Sequence, residues 1–228
     1  MFIKREIPVI LLAGIVIGYV YSFTLFSWNS WLLFSLMGIL IVFAHSLGQK
    51  IAALRLDSST EISLWKMQRF WFGEARKLPF AFPSGLLFPI IFAFATFGWL
   101  RFTAITTFEA SALPRIRPFS KVTEKQLGVI ALSGSIANVV LAFISFLLNY
   151  PQFAMMNLYF AFFSLLPISS LDGVKIFFGS RLLWIFSFVF VISLIILFEV
   201  AGFWATLISA LMIALAIVIA YYASFENF

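Results

Sequence analysis

A polytopic helical membrane protein is the fold class that this sequence predicts, and three observations predict it. Of 228 residues, 63% are apolar and only 11% charged, whereas water-soluble domains run near half apolar and a quarter charged. The runs Ile7–Phe26 and Ala205–Ala223 approach or reach the ~20 residues that cross a ~30 Å hydrocarbon core. The Lys and Arg residues gather in alternate connections between the apolar runs, as the positive-inside rule requires. A soluble enzyme, a disordered chain and a disulfide scaffold are excluded, the last because there is no Cys. The net charge of +6 is explained by loop placement and does not call for nucleic acid.

Hydropathy places candidate membrane segments near 7–26, 31–54, 86–108, 127–149, 154–171, 182–198 and 203–223. Lys4 and Arg5 precede the first, but Ser22–Asn29 offers no small-x-small cleavage pattern, so it reads as a retained helix. The region 55–85 is polar and basic with Trp65, Phe70, Trp71 and Phe72 interleaved, which suits a membrane-surface loop or amphipathic segment. The segment 86–108 contains Pro89, Gly98 and Arg101 and makes a poor simple span. If it dips in and returns, or lies along the interface, every inside loop holds the cations: Lys50, Arg55, Lys66, Arg69, Arg76 and Lys77; then Arg115, Arg117, Lys121 and Lys125; then Lys175 and Arg181. The outside connections near 27–30, 150–153 and 199–202 then hold none. The expectation is one integral domain over 1–228, all α, with about six crossing helices and one re-entrant or interfacial segment. Both termini are expected to be cytoplasmic and the chain to be a multi-pass protein of the cell membrane.

Ionisable residues inside spans are costly, so the few present are informative. His45, the only histidine, lies within the second segment, and Asp172 at the end of the fifth. With both helices running outside to inside, the two fall at comparable depth in the inner half of the bilayer. Gln49 follows His45 by four and shares its helical face, the spacing of two metal ligands on one helix. Each has a plainer reading: His45 as a hydrogen-bonding core residue, Asp172 as a cap at a helix end. Glu199 reads as an exposed loop charge, and the many Phe residues as packing and lipid-facing bulk.

The stretch Phe43-Ala44-His45-Ser46-Leu47-Gly48-Gln49 resembles the zinc-binding helix of the site-2 protease family, whose pattern is His-Glu-x-x-His. Phe163-Ser164-Leu165-Leu166-Pro167-Ile168-Ser169-Ser170-Leu171-Asp172-Gly173 is similar to that family's Asn-x-x-Pro-x-x-x-Leu-Asp-Gly element, whose Asp is the third ligand. Gly134-Ser135-Ile136-Ala137-Asn138 resembles its Gly-Pro-x-x-Asn segment. The three occur in the family's order across 31–178, with an inserted membrane-surface or re-entrant region at 55–108 and a C-terminal helical hairpin at 182–223. The closest likeness is to prokaryotic members carrying a long insertion there. The resemblance implies a site-2-protease-like core, zinc held by His45, Asp172 and the degenerate Gln49, and contact with a substrate segment through Asn138, Ser164 and Gly173.

The departures fall on the chemistry. Ser46 stands where the family has its general-base Glu, and a hydroxyl cannot take up that carboxylate's proton-accepting role. Gln49 replaces the second His, and an amide oxygen is a weak, neutral zinc donor. The reading is therefore an inactive homologue that binds a transmembrane segment or membrane partner in the lipid bilayer. One alternative is an active zinc metalloprotease that borrows a base from Glu61, Glu74 or Glu109. A second is an ion or proton transporter built on the His–Asp pair.

Overall fold

Two opposed stripes set the orientation of the long second helix. Leu32, Leu36, Leu40, Phe43, Leu47, Ile51 and Leu54 recur every three to four residues and are exposed. Gly38, Ile41, Val42, His45, Gln49 and Ala53 form the buried stripe. Leucine outside and polar groups inside reverse the pattern of a soluble helix, and an apolar face of that length calls for lipid. A computed structural model describes residues 2–24, 26–69, 77–113, 121–198 and 200–225.

Among these residues the elements run α1 (Glu6–Ser22), α2 (Trp28–Arg55), β1 (Ser58–Leu64), β2 (Met67–Arg69), β3 (Lys77–Phe82), α3 (Ser84–Ala95), β4 (Thr106–Ala112), α4 (Glu124–Leu147), α5 (Pro151–Ser164), α6 (Asp172–Gly179), α7 (Arg181–Leu197) and α8 (Phe203–Phe225). The chain is a mostly helical membrane protein. Three helices are long and apolar enough to cross a bilayer: α2, α4 and, within α8, Trp204–Ser224. That is fewer than the six expected. The helices α1 and α7 have 17 residues each, about 25 Å at ~1.5 Å per residue. The fifth segment winds for only 14 residues as α5, because Pro167 cannot continue a helix.

Strands replace the surface loop expected at 55–85. Ser58–Leu64 pairs antiparallel with Thr106–Ala112, Glu61 facing Glu109, and Met67 and Arg69 pair with Phe82 and Lys77. The segment 86–108 is likewise not one element. It winds as α3, reverses near Gly98 beside Phe23 and Thr24 at the end of α1, and returns extended to Ile105 and β4. Ile105 carbonyl then accepts from Trp65 N–H at 2.8 Å, and Trp65 carbonyl from Gly85 N–H at 2.9 Å, so the excursion begins and ends at one place. The residues Phe70, Trp71, Phe72, Glu74, Arg76, Arg115, Arg117 and Glu199 lie outside those described.

Lipid tails are as apolar as leucine, so helices in a bilayer associate through close packing and polar contacts. The first two helices do both. A Cβ on Gly14 would lie 2.6 Å from the Ile39 backbone nitrogen, and one on Gly18 would meet Ser35, 2.5 Å from its backbone nitrogen. Glycine at both positions lets the two backbones touch. At the opposite end from Gly18, Glu6 is fully buried, and its Oε1 accepts from Lys50 Nζ at 2.8 Å and from Ile62 N–H at 2.9 Å. Lys50 also donates to Thr60 carbonyl at 2.8 Å. Lys50 is thus no loop cation: it joins α1, α2 and β1 in one buried node.

Candidate functional site

The α2 register puts His45 and Gln49 on the buried stripe, and α4 crosses that stripe through small residues. A Cβ on Gly134 would lie 2.7 Å from His45 Nε2, so the glycine of the middle motif is what lets the imidazole lie flat against α4. Phe160 of α5 meets the same ring edge-on at 5.1 Å between centroids. Asp172 arrives by another route. After α5 the chain unwinds through Leu165–Leu171, and the freed carbonyls find partners: Trp184 Nε1 donates to Leu165 at 2.9 Å and Thr107 Oγ1 to Ser170 at 2.6 Å. Gly173 carries no Cβ because one would overlap the Leu165 and Leu166 carbonyls. Asp172 is therefore the first residue of α6 rather than its cap, the cap position being Leu171.

The result is a buried triangle. His45 Nε2 lies 2.8 Å from Asp172 Oδ2, Gln49 Nε2 donates to the same oxygen at 2.7 Å, and the two nitrogens are 3.0 Å apart. All three residues are 2% exposed. One carboxylate oxygen receives both donors, which fixes the amide with its nitrogen toward Asp172. Asp172 Oδ1 faces Lys175 Nζ at 3.6 Å. Burial pushes the Lys175 ammonium below its ordinary range, with Asp172 pulling the other way. Lys175 is further held by Thr107 Oγ1 at 3.0 Å and Phe108 carbonyl at 2.8 Å, and stacks over the Phe108 ring. It was read as a loop cation, and packing against β4 is the reason it is not one.

Zinc does not fit this donor set. Bonds of ~2.0–2.1 Å in a tetrahedral site hold ligand atoms about 3.3 Å apart, whereas these three already touch at 2.7–3.0 Å. Gln49 presents an amide N–H, and turning it over would set its oxygen against a carboxylate oxygen. Among the described residues no three His, Cys, Asp or Glu side chains converge. Of the carboxylates from which the alternative reading borrows a base, Glu61 and Glu109 are both exposed, paired across β1 and β4, and Glu74 is outside the described residues.

Other motif residues are buried around the triangle. Asn138 is fully buried, and neither its Oδ1 nor its Nδ2 has a partner among the described residues. The same holds for the Oγ atoms of Ser46 and Ser135 and the Nδ1 of His45. Ser164 is buried at the end of α5. Buried polar atoms without protein partners on α2 and α4 are of the kind that internal water satisfies. No family model, no curated protein and no solved structure matches the chain.

Removing Asp172 tests the triangle as a unit. Asp172→Leu strands the His45 and Gln49 donors, at about 1–3 kcal/mol for each buried group left unpaired. A clearly lower thermal midpoint of the detergent-solubilised protein is expected. Asp172→Asn keeps one acceptor oxygen and should lose less.

Proposed function

We propose that the protein is a non-hydrolytic relative of the site-2 proteases that holds a transmembrane segment without cutting it. The single observation carrying this reading is the meeting of His45, Gln49 and Asp172 across 127 residues of sequence, with Ser46 and Gln49 in place of base and ligand. Three motifs in one chain are drawn to one buried point, the middle one through Gly134 against the imidazole. Reaction machinery is missing at that point: no carboxylate stands at position 46 to activate water, and the third donor is an amide. Asn138, with both amide atoms unpartnered among the described residues, supplies donors and acceptors for the backbone of a bound segment, and Ser164 and Gly173 stand at the corresponding positions of the third motif.

In this reading α1, α2, α4, α5, α7 and α8 all cross, with α5 completed by the unwound stretch to Leu171. The excursion through α3 and back to Ile105 is the re-entrant element, its extended return over Phe102–Ile105 buried in protein as membrane depth demands. Both termini face the cytoplasm. The exposed faces of α2 and α8 give the bilayer contact.

The test is reconstruction. Ser46→Glu with Gln49→His is expected to bind stoichiometric zinc and to cleave a model transmembrane peptide in nanodiscs. The wild-type chain is expected to bind the same labelled peptide saturably and leave it intact. Zinc-dependent cleavage by the wild-type protein, lost on His45→Ala, overturns the proposal.

A further inference from the structure

The far end of the bundle holds a second site, unrelated to the His45 triangle. A cavity of about 420 Å³ opens among Tyr21, Arg101, Gln152, Met155, Tyr159 and Phe198, a volume typical of small-ligand sites. Arg101 stands in its wall with its guanidinium 5.0 Å from the Tyr21 ring centroid. No carboxylate of a described residue pairs with it. Tyr21 is 6% exposed and its hydroxyl has no partner among the described residues. A cation and an O–H donor therefore line one cavity with no carboxylate of a described residue between them.

The level of the cavity identifies what it meets. Tyr21 lies about 22 Å along α1 from Glu6 at ~1.5 Å per residue. Around this end the chain exposes Trp28, Phe97, Trp99, Tyr150 and Trp204, each at least half open. Trp and Tyr gather at the water boundary of a bilayer, where headgroups lie. Beside the cavity, Leu147, Leu148 and Val200 are exposed and offer acyl chains an apolar bed. Arg101 also lies within an apolar segment, away from the basic connections.

We infer that this cavity binds the phosphate headgroup of an anionic phospholipid. The planar guanidinium matches two phosphate oxygens side by side, and the Tyr21 hydroxyl donates to a third. A lipid carrying net negative charge neutralises the arginine where water is scarce. A second cleft, lined by Lys125, Gly128, Gly179 and Arg181, has exposed cations and, among the described residues, no buried unpartnered group in its wall.

The experiment uses the full chain in neutral detergent, with thermal stability titrated against phosphatidylglycerol, phosphatidylcholine and inorganic phosphate. The expected result is a saturable rise with phosphatidylglycerol alone. Arg101→Gln should weaken half-saturation about tenfold, the scale of one charge-assisted contact, Tyr21→Phe by less, and Lys125→Gln with Arg181→Gln should leave it unchanged. Should Arg101→Gln fail to fold, native mass spectrometry of wild type and Tyr21→Phe decides, with the wild type retaining phosphatidylglycerol longer. An equal rise with inorganic phosphate overturns the lipid assignment. A response unchanged in Arg101→Gln overturns the site.

Discussion

Gly18→Leu is expected to separate α1 from α2 and to leave little folded protein. The new side chain would have to occupy the space of the Ser35 backbone and hydroxyl. A flexible neighbour could yield, but a helix backbone can move only as a whole. Overpacking a tight contact costs about 1–3 kcal/mol and occasionally more, and here the wedge also threatens the Glu6–Lys50 node on the same two helices. The expected outcome is a loss of about 3 kcal/mol or more, read as a collapsed thermal midpoint and rapid proteolysis of the first helix. Ile15→Leu, at a position 41% exposed on α1, is the control and should change neither.

The second large effect is expected at the node itself. Lys50→Met leaves the Glu6 carboxylate fully buried with its cation gone, and breaking such a pair costs about 3–5 kcal/mol. Glu6→Gln alone strands Lys50 in turn. The double variant, Glu6→Gln with Lys50→Met, removes both charges, and the Gln oxygen still accepts from Ile62 N–H. It should recover more than half of the loss in thermal denaturation. A double variant as unstable as Lys50→Met would show that the hydrogen bonds to β1, not the charge pair, hold the three elements together.

Sequence patterning reveals the helices well, because each long apolar run with its polar breaks has one dominant solution in a bilayer. It also reveals the triangle: the i, i+4 spacing puts His45 and Gln49 on one face, and the Leu171-Asp172-Gly173 motif names the third member. Four features went unread, one of them despite a sign in the sequence. The pairing of β1 with β4 depends on a partner 52 residues away, as between Ser59 and Ser111, and a short Ser/Thr-rich strand carries little hydropathy signal. Charge alone could not tell that Lys50 and Lys175 are buried, since only their partners in space decide it. The contact of α1 with α2 had a legible sign, the glycines at 14 and 18, four apart in an apolar run. Arg101 likewise read only as a flaw in a span, because the cavity it lines is assembled from four separate parts of the chain.

The unwound stretch from Leu165 to Leu171 has one further consequence. Its carbonyls are gripped from two sides, by Trp184 of α7 and by Thr107 of β4, while Lys175 reaches back to the same strand. The carboxylate at 172 is thus strung like a bead between the inserted strands and the carboxy-terminal hairpin. Its position is therefore set by hydrogen bonds from both neighbours and not by the helix it begins.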